Sequence, residues 1–147
     1  MNFKKILFPT DFSHCGDAAL QMATVLAKES GATLIIAHVE EPPSAYAGGE
    51  MYYGMLDPSI EQLQKLLHEI KPTDESVSCQ YELVTGDPAQ AIIRMATDEK
   101  VDLIVMGTHG RTGFLHLLIG STAEAIVRRA PCPVLTYKEP HEVAVAD

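Results

Sequence analysis

Residues 101–122 read VDLIVMGTHGRTGFLHLLIGST, and the fold turns on how the first seven of them are taken. Val101 to Gly107 is an almost unbroken apolar run, of the kind buried on both faces of a parallel sheet. It predicts a strand over 101–107 that runs straight into a glycine-rich segment. Downstream, Ala123, Ile126, Val127 and Ala130 recur at helical spacing and define a last helix, and PVLTY at 133–137 a last strand.

The same alternation continues upstream. FKKILF at 3–8 ends in Ile6, Leu7 and Phe8 before Pro9 and reads as a buried strand. From Ser13 to Ser30 the residues Ala19, Met22, Ala23, Leu26 and Ala27 repeat at helical spacing, and Gly31 stands where a C-cap glycine belongs. TLIIAHV at 33–39 is β-branched and too short for a helix. Residues 40–57, with two prolines and three glycines, predict a long loop. After Pro58, which suits a first helical turn, Ile60, Leu63, Leu67 and Ile70 form one stripe that Pro72 ends. CQYELVT at 79–85 alternates as a strand, and Asp87-Pro88 opens a helix with Asp87 as its N-cap and Ala89, Ile92, Ile93 and Ala96 as its apolar face.

Five strands alternating with four helices imply right-handed crossovers, a parallel sheet and helices on both faces. The predicted fold class is therefore α/β, a Rossmann-like single domain with a five-stranded parallel sheet; the version expected has the order 3-2-1-4-5. With 147 residues there is room for one such domain, over 1–140, and a short polar tail at 141–147.

Charge and cysteines narrow the function classes. The formal charge is −9 and no Lys/Arg run exceeds a pair, so a nucleic-acid backbone or an anionic membrane is repelled. Cys15, Cys79 and Cys132 are odd in number and lack CxxC spacing, which reads as reduced thiols. The first residues carry no signal-peptide core, and nothing approaches the roughly 20 apolar residues of a membrane span. The expected location is the cytoplasm.

A doubly wound sheet binds ligands beyond the carboxyl ends of its strands, where the strand order reverses. In the order 3-2-1-4-5 that point lies between the first and fourth strands, so Pro9-Thr10-Asp11 faces Gly107-Thr108-His109-Gly110 across it. Gly107, Gly110 and Gly120-Ser121 form the spacing GxxGx9G[ST]; GxGxxG and GxxxxGK[ST] are both absent. Backbone N–H groups opening the helix after Gly120 carry partial positive charge and hold a phosphate without a lysine. Screening over about 8 Å lets these dipoles and Arg111 outweigh distant carboxylates. The residues also allow plainer readings. Ser121-Thr-Ala-Glu124 fits a capping box, Gly107 and Gly110 suit turns, His109 suits a solvated histidine, and Asp11 competes with Ser13 to cap the first helix.

The glycine spacing, together with KILFPTDFS, TLIIAHV, GDPAQAIIRMA and the whole of 101–138, resembles the universal stress protein family and its ATP-binding branch. The resemblance implies an adenine nucleotide, ATP or else AMP or ADP, in this crevice, with Mg²⁺ held mainly through phosphates. By position it puts Pro9, Thr10 and Asp11 beside adenosine and Val39 beside adenine. Met106, Gly107, His109, Gly110, Gly120, Ser121 and Thr122 fall around ribose and phosphates. It further implies a homodimer through 133–137 and a role as nucleotide-dependent sensor or regulator of the stress response, with an unidentified protein as possible partner.

Catalytic residues are not assignable: no Ser-His-Asp or Cys-His set and no paired carboxylates emerge. A slow metal-dependent ATPase or nucleotidyl transferase using Asp11 and His109, and a nucleotide-free interaction module, stay open as alternatives. His14, His38, His68, His116 and His141 share no ligand spacing, which argues against structural zinc and leaves no metal residue to name. Cys15 reads as a small buried residue, and the loop tyrosines Tyr46, Tyr52 and Tyr53 have no assigned role.

Overall fold

A computed structural model describes residues 2–13, 16–42, 59–108 and 120–138. Along them run β1 (Lys5–Pro9), α1 (Asp17–Ser30), β2 (Thr33–Glu40), α2 (Ile60–Glu69), β3 (Cys79–Thr85), α3 (Pro88–Asp98), β4 (Leu103–Gly107), α4 (Ser121–Arg129) and β5 (Val134–Tyr137). The strands form one parallel sheet, as the alternation of elements predicts, in the order β3-β2-β1-β4-β5, the version expected of it. His14, Cys15, residues 43–58, 109–119 and the tail lie outside the described residues.

Successive side chains of a strand point to opposite faces, and the central strands divide accordingly. Ile6, Phe8, Leu34, Ile36, Leu103 and Val105 pack against α1 and α2; Leu7, Ile35, Ala37, Ile104 and Met106 pack against α3 and α4. Both faces are covered, which explains why these strands read as continuous apolar runs. Among the described residues no helix is long and apolar enough to cross a membrane.

Local chemistry sets the boundaries. Gly31 adopts the left-handed conformation, φ 71°, and closes α1 through bonds to the Ala27 and Lys28 carbonyls. Ser59 and Gln62 exchange bonds in a capping box at the start of α2. Asp87 accepts from the Gln90 N–H, as expected of an N-cap, with Pro88 in the first turn of α3.

Several expectations need correction. Helix α1 begins at Asp17 with Gly16 at the N-cap, and Ser13 lies in the loop before it. Ile60 is 67% exposed although it continues the apolar stripe of α2, because only Leu63 and Leu67 of that helix reach the core. Val127 is likewise 47% exposed, and in α3 Met95 is buried where Ile93 is half-buried. Strand β1 runs through Pro9 rather than ending before it. The Thr10 N–H still points to β2, donating to Ala37 O, so the donor that Pro9 lacks falls on the β4 side. There the β1–β4 pairing has already stopped at Leu7 and Ile104.

Candidate functional site

Beyond Leu7 and Ile104 the two central strands separate at their carboxyl ends, and a cavity of about 570 Å³ opens between them. That size suits a small organic ligand. Of the residues singled out from sequence, Pro9, Thr10, Asp11, Val39, Met106, Gly107, Gly120, Ser121 and Thr122 line this one cavity. His109, Gly110 and Arg111 lie outside the described residues.

The wall contributed by the β1–α1 loop is tightly folded. Phe12 N–H donates to Thr10 Oγ1 at 3.1 Å, and Ser13 donates to Asp11 Oδ1 from its N–H at 2.9 Å and from its hydroxyl at 2.6 Å. Asp11 thus organises its own loop rather than serving as the N-cap of α1, a place that Gly16 occupies. Phe12 itself sits at φ 69°, a left-handed conformation costing an L residue about 1–2 kcal/mol. Strain of this kind persists where surrounding bonds over-determine it.

The opposite wall is the start of α4. Gly120 is its N-cap, and among the described residues no side chain caps the helix. The capping box expected from Ser121 and Glu124 does not form: Ser121 is already the first helical residue, and Glu124 bonds Arg128 at 3.0 Å instead. Gly120 is anchored by its own N–H to Thr108 O at 2.8 Å. Its φ of −67° suits any residue, and among the described residues a Cβ there meets only Thr108 O at 3.5 Å, an ordinary contact. Among the described residues, neither backbone conformation nor packing therefore requires glycine at 120. What glycine does is leave the first turn of α4 bare toward the cavity, with its partial positive charge.

The cavity is electrically polar. Asp11, Glu40 and Glu41 line it on the β1–β2 side, and the α4 N-terminus lies on the β4 side. The floor is apolar, with Ala37, Val39, Ile92, Met106 and Ile126. Such a site accommodates a ligand with an anionic end, a donor-bearing end and a flat apolar middle. Among the described residues no group of His, Cys, Asp or Glu is placed to hold a metal ion by itself.

Sequence reasoning missed His38, which also lines the cavity. It is 2% exposed; its Nδ1 lies 2.7 Å from Thr10 O and its Nε2 2.8 Å from Glu40 Oε1. The available signal was a polar residue inside an otherwise apolar strand, TLIIAHV, close to the strand's carboxyl end. Cys79 and Cys132 lie away from the cavity, half-buried and unpaired, and burial pushes both thiols up, against a nucleophilic role.

Comparison with known proteins places this geometry. The universal stress protein family pattern matches residues 2–138. Universal stress protein MJ0531 of Methanocaldococcus jannaschii is 36% identical over 142 residues, covering 94% of this chain and 84% of that protein. The solved structure of MJ0577 from the same organism superposes with a TM-score of 0.80 at 30% identity, covering 97% of this chain and 100% of that one. A universal stress protein crystallised in complex with cAMP shares the fold with a TM-score of 0.62 at 24% identity, over 94% of this chain and 98% of the other. With the family pattern spanning nearly its whole length and relatives above 30% identity over nine-tenths of it, the chain belongs to the universal stress protein family.

Proposed function

We propose that the protein binds an adenine nucleotide, ATP in the first instance, and acts as a nucleotide-dependent regulator of stress survival in the cytoplasm. The observation that carries this reading is the glycine at 120, which no contact among the described residues requires and which gives the N-terminus of α4 no side-chain cap at the rim of the cavity. Family membership and a relative that holds cAMP support the same ligand class.

The residues divide the ligand between them. Backbone N–H groups of Ser121 and Thr122 take phosphate oxygens, with Gly107 giving room for the chain and Gly110, His109 and Arg111 completing the phosphate side. Val39 lies beside the base, Met106 faces the ribose and phosphates, and Pro9, Thr10 and Asp11 flank the adenosine. Asp11, Glu40 and Glu41 accept hydroxyl or amino donors and repel phosphate, so the cavity's own field orients the nucleotide. Mg²⁺ enters with the phosphates and lowers their repulsion from these carboxylates. Regulation requires a surface that reads the bound state. The edge strand β5, with Leu135 37% exposed, offers one by pairing with a second copy.

The test is to denature freshly purified protein without added nucleotide and identify any released nucleotide by mass spectrometry, with calorimetric titration of ATP and Mg²⁺ into the emptied protein. Stoichiometric ATP, or micromolar binding, is the expected result. ADP or AMP in place of ATP points to turnover in the same cavity. An empty protein that binds none of the three overturns the reading.

A further inference from the structure

We infer that His38 is the positioning residue of the adenosine end of the cavity: its two ring nitrogens tie the carbonyl of Thr10 and the carboxylate of Glu40 into one rigid wall. The inference rests on the nucleotide reading above and adds to it a residue that does not itself reach the phosphates.

The ladder between β1 and β2 shows why such a tie is needed. Thr10 N–H continues it by donating to Ala37 O at 2.8 Å. In a regular parallel pair the Thr10 carbonyl would next accept from the backbone of β2. Here the chain leaves the sheet, and the carbonyl meets the His38 ring, Nδ1 to O 2.7 Å. A carbonyl only accepts, so Nδ1 carries the hydrogen. On the far side of the ring Nε2 faces Glu40 Oε1 at 2.8 Å, and one proton sits between them. A ring so deeply buried with both nitrogens engaged has a single orientation.

The ring also supports the strained residue of the loop. Phe12 packs on it with centroids 4.2 Å apart and planes tilted by 36°, while Phe12 N–H returns to Thr10 Oγ1. Thr10 is therefore held at its N–H, its carbonyl and its hydroxyl, and Asp11, the next residue, is delivered to the cavity wall. Without the bond from Nδ1, the carbonyl loses its partner and the left-handed turn at Phe12 loses its platform. Residues 10–12 then relax, and a ligand must reorder them on binding.

The two arms of the ring separate this role from mere core stability. An asparagine at 38 places its amide N–H near the Nδ1 position and keeps the Thr10 arm; a glutamine reaches only the Nε2 position and keeps the Glu40 arm. His38→Gln is expected to weaken ATP binding about ten-fold and His38→Asn to recover most of that loss, while both lower the melting temperature. Thr24→Val, in a buried hydroxyl bonded to Leu20 O and Thr73 N–H far from the cavity, supplies the control: it lowers the melting temperature without moving affinity. Wild type that binds no adenine nucleotide overturns the underlying nucleotide reading. Wild type that binds, with His38→Gln binding equally well or no better rescued by asparagine than its stability explains, overturns the positioning role alone. Should His38→Gln not fold, ¹⁵N-edited NMR of the wild type decides. A slowly exchanging Nδ1–H that shifts when ATP is added is expected, and one that is absent or unmoved overturns the assignment.

Discussion

Helices α2 and α3 begin with side chains tied into their own first turns, Ser59 to Gln62 and Asp87 to Gln90. Helices α1 and α4 begin with glycines, Gly16 and Gly120, that have no side chain to offer. The division follows the sheet. The glycine-started helices leave β1 and β4, the two strands that flank the reversal of strand order, and both glycines line the cavity. A capped helix has spent its N-terminal donors on itself, whereas α4, with no side-chain cap among the described residues, presents its donors to whatever approaches. At Gly120 stability has been forgone where a ligand can take over the cap.

The largest expected effect is a break in this contrast at Gly120. Gly120→Val adds a branched side chain at the rim, in a conformation valine tolerates and, among the described residues, against no tighter neighbour than Thr108 O. ATP affinity should fall at least a hundred-fold by calorimetry, while the melting temperature stays within about 2 °C of wild type, since no core contact changes. Equal binding would mean that the bare terminus is not where phosphate sits. Gly120→Asp sharpens the point by making α4 resemble α3. An aspartate cap stabilises the helix by a few tenths of a kcal/mol relative to glycine, yet it occupies the donors and adds a negative charge, so affinity should drop about ten-fold. Stability and affinity moving in opposite directions at one residue is the signature of a terminus kept open.

How much of this was legible in the sequence depends on how local the signal is. The apolar runs at 33–39 and 101–107 and the cap at Asp87 are consequences of near neighbours, and the parallel sheet followed from their alternation with helices, whereas the strand order was one of the versions that alternation allows. The cavity residues Pro9 and Asp11 were legible by their place after a strand, and Gly120 by the glycine spacing. Ser121 and Glu124 misled because a capping box in sequence requires serine to be the residue before the helix, and here Gly120 takes that place through its bond to Thr108 O. His38 was overlooked for a different reason. Its partners, Thr10 and Glu40, lie 28 residues upstream and two residues downstream, and no spacing rule joins them before the sheet does.

The same pair of strands is closed at its other end. Asp102, just before β4, accepts from the N–H groups of Lys4 at 2.7 Å and Lys5 at 3.0 Å, just before and at the start of β1. These two backbone donors hold its carboxyl below the usual range. Since the folded value lies below the unfolded one, near 3.9, the contribution is fully present above about pH 5 and is lost as pH falls through the folded value. Asp102→Ala should cost about 1 kcal/mol at pH 7, or about 3–4 °C, and the gap from wild type should close on acidification below pH 4. Nucleotide affinity should not change, because the stitch lies at the end of the sheet away from the cavity. Asp87→Ala, by contrast, removes a cap from the outer pair and should cost somewhat under 1 kcal/mol. Chemical denaturation at several pH values measures both.

The smallest effect tests the reading of α4 itself. Glu124 and Arg128 are an exposed i,i+4 pair at 3.0 Å, with side chains 55% and 70% exposed. Such pairs contribute about 0.3–0.5 kcal/mol and fade with salt. If instead Glu124 closed a capping box with Ser121, its removal would take away a bond to the helix terminus, worth about 1 kcal/mol and nearly indifferent to salt. Glu124→Ala should therefore shift the denaturation midpoint by a barely measurable amount in low salt and by nothing at 1 M NaCl, where screening acts within about 3 Å. A larger, salt-independent loss would mean that the terminus of α4 caps itself in solution, and the contrast between the inner and outer helices would no longer hold for α4.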